Sequence, residues 1–281
     1  ANVVINYALI FGNWGMPELG LQGAAVASVI AVSLSLLGFV IYIQVYFPEQ
    51  EMFARFWRFD RIATVSVARL ALPISATALA ESGLFAASAF MMGWLGHLEL
   101  AAHGIVLQLA ALTFMVHIGL SQAGTIRVGK AFALRDWVAV RRTAVVTMCI
   151  SAAASFIAIF FFLMTPHFLI NAFLNENDPL TGEILLIGTL LLIVAAMFQF
   201  VDAAQVVALS LLRGLQDTKV PMLIATVSYW LIGLPISYVL GFVLNYRETG
   251  IWLGLVSGLG VAAVLLWARF ILLIRPRFIK G

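Results

Sequence analysis

Two acidic residues lie in the middle of long apolar runs of this sequence. Asp202 lies within the run 182–212, and Glu81 lies within the run 64–94. A carboxylate at the centre of a lipid bilayer costs about 2.5–3.5 kcal/mol on insertion scales. The other eleven of the 13 acidic residues lie in loops or near the ends of the apolar runs. Glu81 and Asp202 are therefore the first candidates for a binding site.

Amide side chains accompany Asp202 at regular intervals. Gln199 and Gln205 lie three residues before and after it, so the three side chains share one face of a helix. We predict that this face binds a cation or a cationic substrate. The alternative for the Asp202 face is a structural hydrogen-bond cluster between two helices. For Glu81 the alternative is a protonated acid that donates to a neighbouring carbonyl.

The two acids need positive charge from another source, because no Lys or Arg lies deep in these runs. A proton, a sodium ion at Glu81 and Asp202, or a cationic substrate can supply it. If the coupling cation and the substrate compete for the same carboxylates, the entry of one displaces the other, which is the basis of antiport. No further cofactor is expected.

The run 100–130 carries the remaining polar candidates. Gln108 lies on a face with Met115 and Gln122, at intervals of seven residues, and is predicted to contribute to substrate binding. His117 lies deep in the run and is either a proton-sensitive group or a hydrogen-bonded packing residue. The histidines are too scattered for a metal site, and no nucleophile motif such as GxSxG is present, so an enzyme is disfavoured.

Composition identifies the elements that must position these residues. The 281-residue chain is 63% hydrophobic and only 10% charged, whereas soluble domains carry about 25% charged residues. We therefore predict an all-α integral membrane protein, a polytopic helical bundle. The net charge of +3 is small and scattered, which argues against nucleic acid. Eight apolar segments lie at about 1–12, 20–46, 64–94, 100–130, 138–164, 182–212, 219–244 and 250–274; the first is too short to span a bilayer.

The basic residues predict the orientation in the membrane. Fifteen of the 16 Lys and Arg residues fall at one end of the predicted helices, among them Arg213, and Arg247 alone falls at the other. Because positive residues favour the cytoplasm, the loops 47–63, 131–137 and 213–218 and the C-terminus are predicted to be cytoplasmic. The chain is expected to be a multi-pass protein of a bacterial inner membrane.

A faint internal repeat predicts the domain organisation. "IFG…ELGLQGAAVAS", beginning at Ile10, resembles "VLG…ETGIWLGLVSG", beginning at Val239. Transporters are often built from such repeated halves. We predict that residues 1–46 are the last two helices of an N-terminal lobe, the first of them truncated. Residues 47–62 form a cytoplasmic linker, and residues 63–281 form a complete six-helix C-terminal lobe. Four further helices are expected ahead of residue 1.

Several motifs in the same order resemble one known family. "ALPISATALAESGLF", "LAAHGIVLQLAALTFMVHIGLSQAGTIRVGKA", "FQFVDAAQVVALSLLRGLQDTKVP" and "GIWLGL" are similar to the multidrug and toxic compound extrusion (MATE) family, in its bacterial NorM-like branch. The resemblance implies twelve helices in two six-helix lobes, of which this chain holds part of helix 5 and helices 6 to 12. It also implies export of cationic drugs and dyes in exchange for sodium ions or protons.

The resemblance assigns roles to individual positions. Glu81 falls at the acidic position of helix 7 and Asp202 at that of helix 10, both used by the family for cation coupling. Phe198 stands where some members carry a tyrosine, and His117 where many carry a proline. The nearest rival function is a lipid-linked oligosaccharide flippase of the same superfamily, which needs basic residues in its cavity for pyrophosphate. An intramembrane enzyme is the more distant rival.

Overall fold

The computed structural model describes residues 2–50, 59–174 and 179–278, and within these ranges it contains helices and no strand. Most of the predicted linker at 47–62 therefore lies outside the described residues. The helices are α1 (Asn2–Phe11), α2 (Gly20–Tyr46), α3 (Arg61–Leu95), α4 (His97–Ala133), α5 (Trp137–Met164), α6 (Pro166–Asn171), α7 (Thr181–Gly214), α8 (Lys219–Val227), α9 (Leu234–Tyr238) and α10 (Arg247–Phe278).

Seven of the helical stretches in the described part of the chain are long and apolar enough to cross a membrane. They are α2, α3, α4, α5, α7, the continuous stretch Lys219–Val243 that contains α8 and α9, and the part of α10 up to Ile274. The predicted helical membrane architecture is confirmed, and α1 is short, as predicted. The helices extend beyond the apolar runs: α4, for example, begins three residues before the predicted segment, because its polar ends continue the helical hydrogen bonding.

The stretch Lys219–Val243 departs from regular α geometry. Residues Ser228–Gly233 and Val239–Val243 form π-helical turns on either side of α9, and Pro235 lies at the first turn of α9. A proline lacks the amide that an α-helix would use, and wide π turns are a common way for a helix to continue past such a defect. No pattern in the sequence predicts these π turns.

The chain divides into two compact units, one up to Thr64 and one from Val65 onward. In the first unit α1 packs on α2, where Gly23 lies against the backbone of Leu9. In the second unit α7 packs against α4, α5 and α10. Its residues Leu191, Leu192 and Leu211 are fully buried, as expected for a helix that is apolar around its whole circumference. The lobe assignment of these units remains a prediction.

Glycines bring α10 close to the stretch Lys219–Val243. A Cβ on Gly258 would lie 2.7 Å from the Cα of Gly233, and a Cβ on Gly254 would overlap Ser237. Ser237 Oγ donates a hydrogen bond of 3.0 Å to the carbonyl of Ile251. Small residues four apart allow this backbone approach.

Ion pairs join helices at the two ends of the second unit. At the end predicted to face outward, Arg247 donates to Glu99 in the first turn of α4. At the opposite end, Arg269 Nε of α10 donates to Asp217 Oδ2 over 2.9 Å. In the first pair Glu99 is buried while Arg247 remains largely exposed, and in the second both partners are partly exposed.

Candidate cation-binding site

Two neighbouring cavities lie among α3, α4 and α7. The first, with a volume of about 460 Å³, is lined by Asp202, and we call it the Asp202 cavity. The second, of about 560 Å³, is lined by Glu81 and is called the Glu81 cavity. Phe85 of α3 and Phe114 of α4 line both cavities, which therefore adjoin at these two rings.

Asp202 is the only titratable side chain among the described residues that line its cavity. It is 2% exposed, and its Oδ1 accepts no hydrogen bond from the described part of the protein. The rest of the lining consists of apolar side chains together with Gln108. Gln108 and Asp202, both predicted as site residues, are thus brought together. A buried carboxylate oxygen without a donor strongly favours a proton or a cation beside it.

A series of packed aromatic side chains forms the wall of the Asp202 cavity beside Asp202. Phe198, one turn before Asp202, packs edge-to-face on Phe85 at 6.0 Å and on Trp252 at 5.5 Å between ring centroids. Trp252 of α10 donates its indole N–H to His103 Nδ1 over 3.1 Å. Because an indole nitrogen can only donate, His103 accepts at Nδ1. These contacts fix Phe198 as one aromatic face of the cavity.

The two glutamines beside Asp202 line neither cavity. Gln199 donates its amide to Thr113 Oγ1 of α4, and Gln205 donates to Tyr229 Oη over 2.6 Å. Each therefore links α7 to a neighbouring helix, as the structural alternative anticipated. Their Oε1 atoms are buried and accept no hydrogen bond from the described residues. Binding of a cation by these two amides remains a prediction.

The Glu81 cavity is more polar and contains both signs of charge. Glu81 comes from α3, and its Oε1 also has no hydrogen-bond donor in the described part of the chain. Hydroxyl groups of Ser121, Thr125 and Ser210 line the cavity, and so does Arg213 from the last turn of α7. The expectation that no basic side chain shares the interior is therefore wrong. Arg213 had been assigned to a cytoplasmic loop, but α7 extends through it to Gly214.

His117 lies away from both cavities, on the face of α4 that packs against α5. Its Nδ1 is 2.8 Å from Ser151 Oγ, and its Nε2 is 3.4 Å from Ser155 Oγ. Ser155 Oγ also donates to the Ser151 carbonyl over 3.1 Å. Both ring nitrogens thus have hydroxyl partners, which is the arrangement expected of a packing histidine. Its role as a proton-sensitive group remains a prediction.

Sequence reasoning missed two polar residues of this region, Arg213 and Tyr229. Arg213 follows Asp202 by eleven residues, which is three helical turns, so the spacing itself indicated a shared face. Tyr229 lies in a π-helical turn and is fully buried against Gln205. No periodicity places such a residue, because the π turn changes which side chains face the interior.

The donor set of the region suits a hard monovalent cation better than a transition metal. Its unpaired atoms are carboxylate and amide oxygens, which are the ligands that hard cations prefer. Within the described ranges no group of three or more His, Cys, Asp or Glu side chains is placed to hold a metal ion.

The MatE family model matches residues 73–239, which is more than half of the chain and includes both Glu81 and Asp202. The chain belongs to the MATE family. It is 42% identical over 98% of its length to a probable multidrug resistance protein NorM of Agrobacterium fabrum, and 41% identical over 98% to one of Rhizobium meliloti. It spans 59% of the length of each of these relatives.

Solved structures agree on the MATE fold. A MATE crystal structure in the bent conformation matches 99% of this chain with a TM-score of 0.80 at 15% identity, and the chain covers 60% of it. The outward-facing conformation of a multidrug resistance MATE family transporter matches the whole chain with a TM-score of 0.80, also at 15% identity, and the chain covers 61% of it. The predicted family membership is confirmed, and the partial coverage is consistent with the prediction of a partial chain.

Proposed function

We propose that this chain is part of a secondary multidrug transporter that exchanges cationic amphiphilic drugs for sodium ions or protons. The observation that carries the proposal is Asp202, a buried carboxylate with an unpaired oxygen, set in an aromatic and apolar cavity. The names of the NorM relatives support multidrug transport as the general function. The exchange mechanism and the roles of individual residues rest on the site itself.

The Asp202 cavity has the chemistry that a flat organic cation requires. Its volume of about 460 Å³ falls in the range of 300–1,000 Å³ that is usual for small-molecule pockets. Phe85, Phe114 and Phe198 line it and offer ring faces for stacking and for cation–π contacts. Asp202 supplies the single negative charge. Few directed polar contacts accompany Asp202, so the pocket selects ligands by positive charge and hydrophobicity rather than by one molecular shape.

Competition between substrate and coupling cation follows from the neighbouring acids. With both carboxylates ionised, repulsion between them adds to the cost of burial. One drug molecule, one or two protons, or a sodium ion at Glu81 and Asp202 each relieve this repulsion. Because drug, proton and sodium ion would bind the same two carboxylates, binding of one excludes the others. A sodium or proton gradient can therefore drive the exchange.

The flippase alternative is less well supported. Arg213 provides one positive charge in the Glu81 cavity, but an acid shares that cavity and a second acid lines the next. A pyrophosphate group would meet net negative charge in this half of the protein. An intramembrane enzyme is also less well supported, because no histidine or cysteine is among the described residues that line the two cavities, so the hydroxyl groups there have no imidazole base beside them. We therefore retain the antiporter, in a bacterial inner membrane with the C-terminus in the cytoplasm.

Ethidium efflux from cells tests this proposal. The cells express the chain together with the N-terminal helices predicted to precede it, and efflux is compared between the wild type and Asp202→Asn at equal surface expression. We expect the variant to lose coupled efflux. The matched control is Asp136→Asn, because Asp136 caps the N-terminus of α5 and asparagine caps a helix equally well. Normal efflux by Asp202→Asn would refute the proposal.

A further inference from the structure

A basic side chain shares the Glu81 cavity and has no role in the proposed exchange so far. Arg213 is partly buried and lines the cavity from α7, while Glu81 lines it from α3. The two side chains line the same cavity, yet they do not form an ion pair within 4.0 Å. Glu81 therefore shares its cavity with a positive group to which it is not bound.

The position of Arg213 on α7 allows its guanidinium to reach the interior. Val206, Leu209, Ser210 and Arg213 all line the Glu81 cavity. Leu209 and Ser210 each lie three or four residues from both Val206 and Arg213, so the four share one helical face. Arg213 is the last of them, in the final turn before Gly214. It therefore approaches Glu81 from one end of the cavity, and the flexible stem of an arginine can span several ångströms.

The apolar groups around the cavity strengthen the attraction between Glu81 and Arg213. Ile74, Ala78, Phe85, Phe114 and Ile118 supply much of the cavity wall, and charges interact more strongly beside such apolar groups than in water. Glu81 is the only acid among the described residues that line this cavity, and Arg213 is the only base.

We propose that Arg213 is a tethered competitor for the cation bound at Glu81. When no drug or coupling ion is present, the guanidinium moves toward the carboxylate and partly neutralises it. An arriving cation must displace the guanidinium, so the site binds that cation more weakly. When the cation leaves, the guanidinium takes its place beside the carboxylate. Arg213 would in this way set the affinity of the site and ease release. This inference rests on the proposed function, because it requires that a cation bind beside Glu81.

Ethidium binding to the purified 281-residue chain in lipid nanodiscs tests the inference, with fluorescence anisotropy as the readout. Arg213→Gln should bind ethidium about tenfold more tightly than the wild type, which corresponds to about 1.4 kcal/mol. Arg127→Gln removes the same charge from an exposed position of α4 and should leave the affinity within about twofold. If Arg213→Gln is not monodisperse, Arg213→Met, which keeps the apolar stem, replaces it.

A double-mutant cycle separates competition from a general effect of charge. In a Glu81→Gln background, Arg213→Gln should no longer increase the affinity, because the group for which Arg213 competes is absent. Unchanged or weaker binding by Arg213→Gln would overturn the inference, as would an equal gain in the Glu81→Gln background. If the wild type binds ethidium and Asp202→Asn does not, the proposed function survives such a result. If the wild type does not bind ethidium, both proposals fail.

Discussion

Replacement of Gly258 by alanine should loosen the contact that holds Tyr229 against α7. A Cβ at this position would lie 2.7 Å from the Cα of Gly233 and 3.1 Å from the carbonyl oxygen of Ser228. Carbon atoms attract optimally at about 3.5–4.0 Å, so α10 and the π turn Ser228–Gly233 must separate by roughly 1 Å. Both neighbours are backbone atoms, so a change of side-chain rotamer cannot relieve the overlap.

The expected loss of stability follows from two opposing terms. Overpacking of a close contact costs about 1–3 kcal/mol or more, whereas alanine improves helix propensity over glycine by about 1 kcal/mol. We expect Gly258→Ala to reduce the free energy of unfolding by up to about 2 kcal/mol. Because Tyr229 lies in the displaced turn and accepts the hydrogen bond from Gln205, the variant should also bind ethidium more weakly.

The matched control lies two residues away on the same helix. A Cβ on Gly260 would meet only Val201 Cγ1, at an ordinary 3.7 Å, so Gly260→Ala should be neutral or stabilising by up to about 1 kcal/mol. Both variants can be compared by unfolding in mixed micelles of increasing sodium dodecyl sulfate, followed by tryptophan fluorescence. Equal stability of the two variants would show that the close approach at Gly258 does not exist in the membrane.

Three further predictions concern the histidine, the ion pair at the predicted outer end and the chain as a whole. His117→Ala should lower the free energy of unfolding by about 1–3 kcal/mol, because Ser151 and Ser155 lose a buried partner, while ethidium binding stays within about twofold; strong loss of binding with normal stability would contradict the packing role. Glu99→Gln should cost at most about 1 kcal/mol, since Arg247 is largely exposed, and a cost above about 3 kcal/mol in the same unfolding assay would contradict this estimate. Proteoliposomes of residues 1–281 should show no ion-driven dye movement, because the opposite repeat is needed for alternating access; robust antiport would refute the repeat argument.

The helices of this protein are largely predictable because a bilayer imposes their length and apolar character. Every long apolar run became a helix, and Asp202 proved fully buried, as the cost of a charge in the membrane requires. These features depend on local composition, which a single sequence contains.

The arrangement of polar groups inside the bundle depends on how helices face one another, and a sequence pattern does not contain that information. Gln199 and Gln205 share a face with Asp202, yet their amides are used in contacts with other helices. Arg213 was assigned to a loop because charges usually mark helix ends, but α7 continues through it into the Glu81 cavity. Tyr229 owes its burial to a π turn that no regular period predicts.

In the proposed exchange, drug and coupling cation compete for the same pair of carboxylates. The most direct test of this competition is the displacement of ethidium from the purified chain in nanodiscs, measured by anisotropy while sodium or proton concentration is raised and choline serves as the ionic-strength control. We predict that one of these two cations lowers ethidium affinity competitively, with choline far less effective, and that Asp202→Asn abolishes the effect. Ethidium binding that is independent of both sodium and protons, or competition that persists unchanged in Asp202→Asn, would contradict the account.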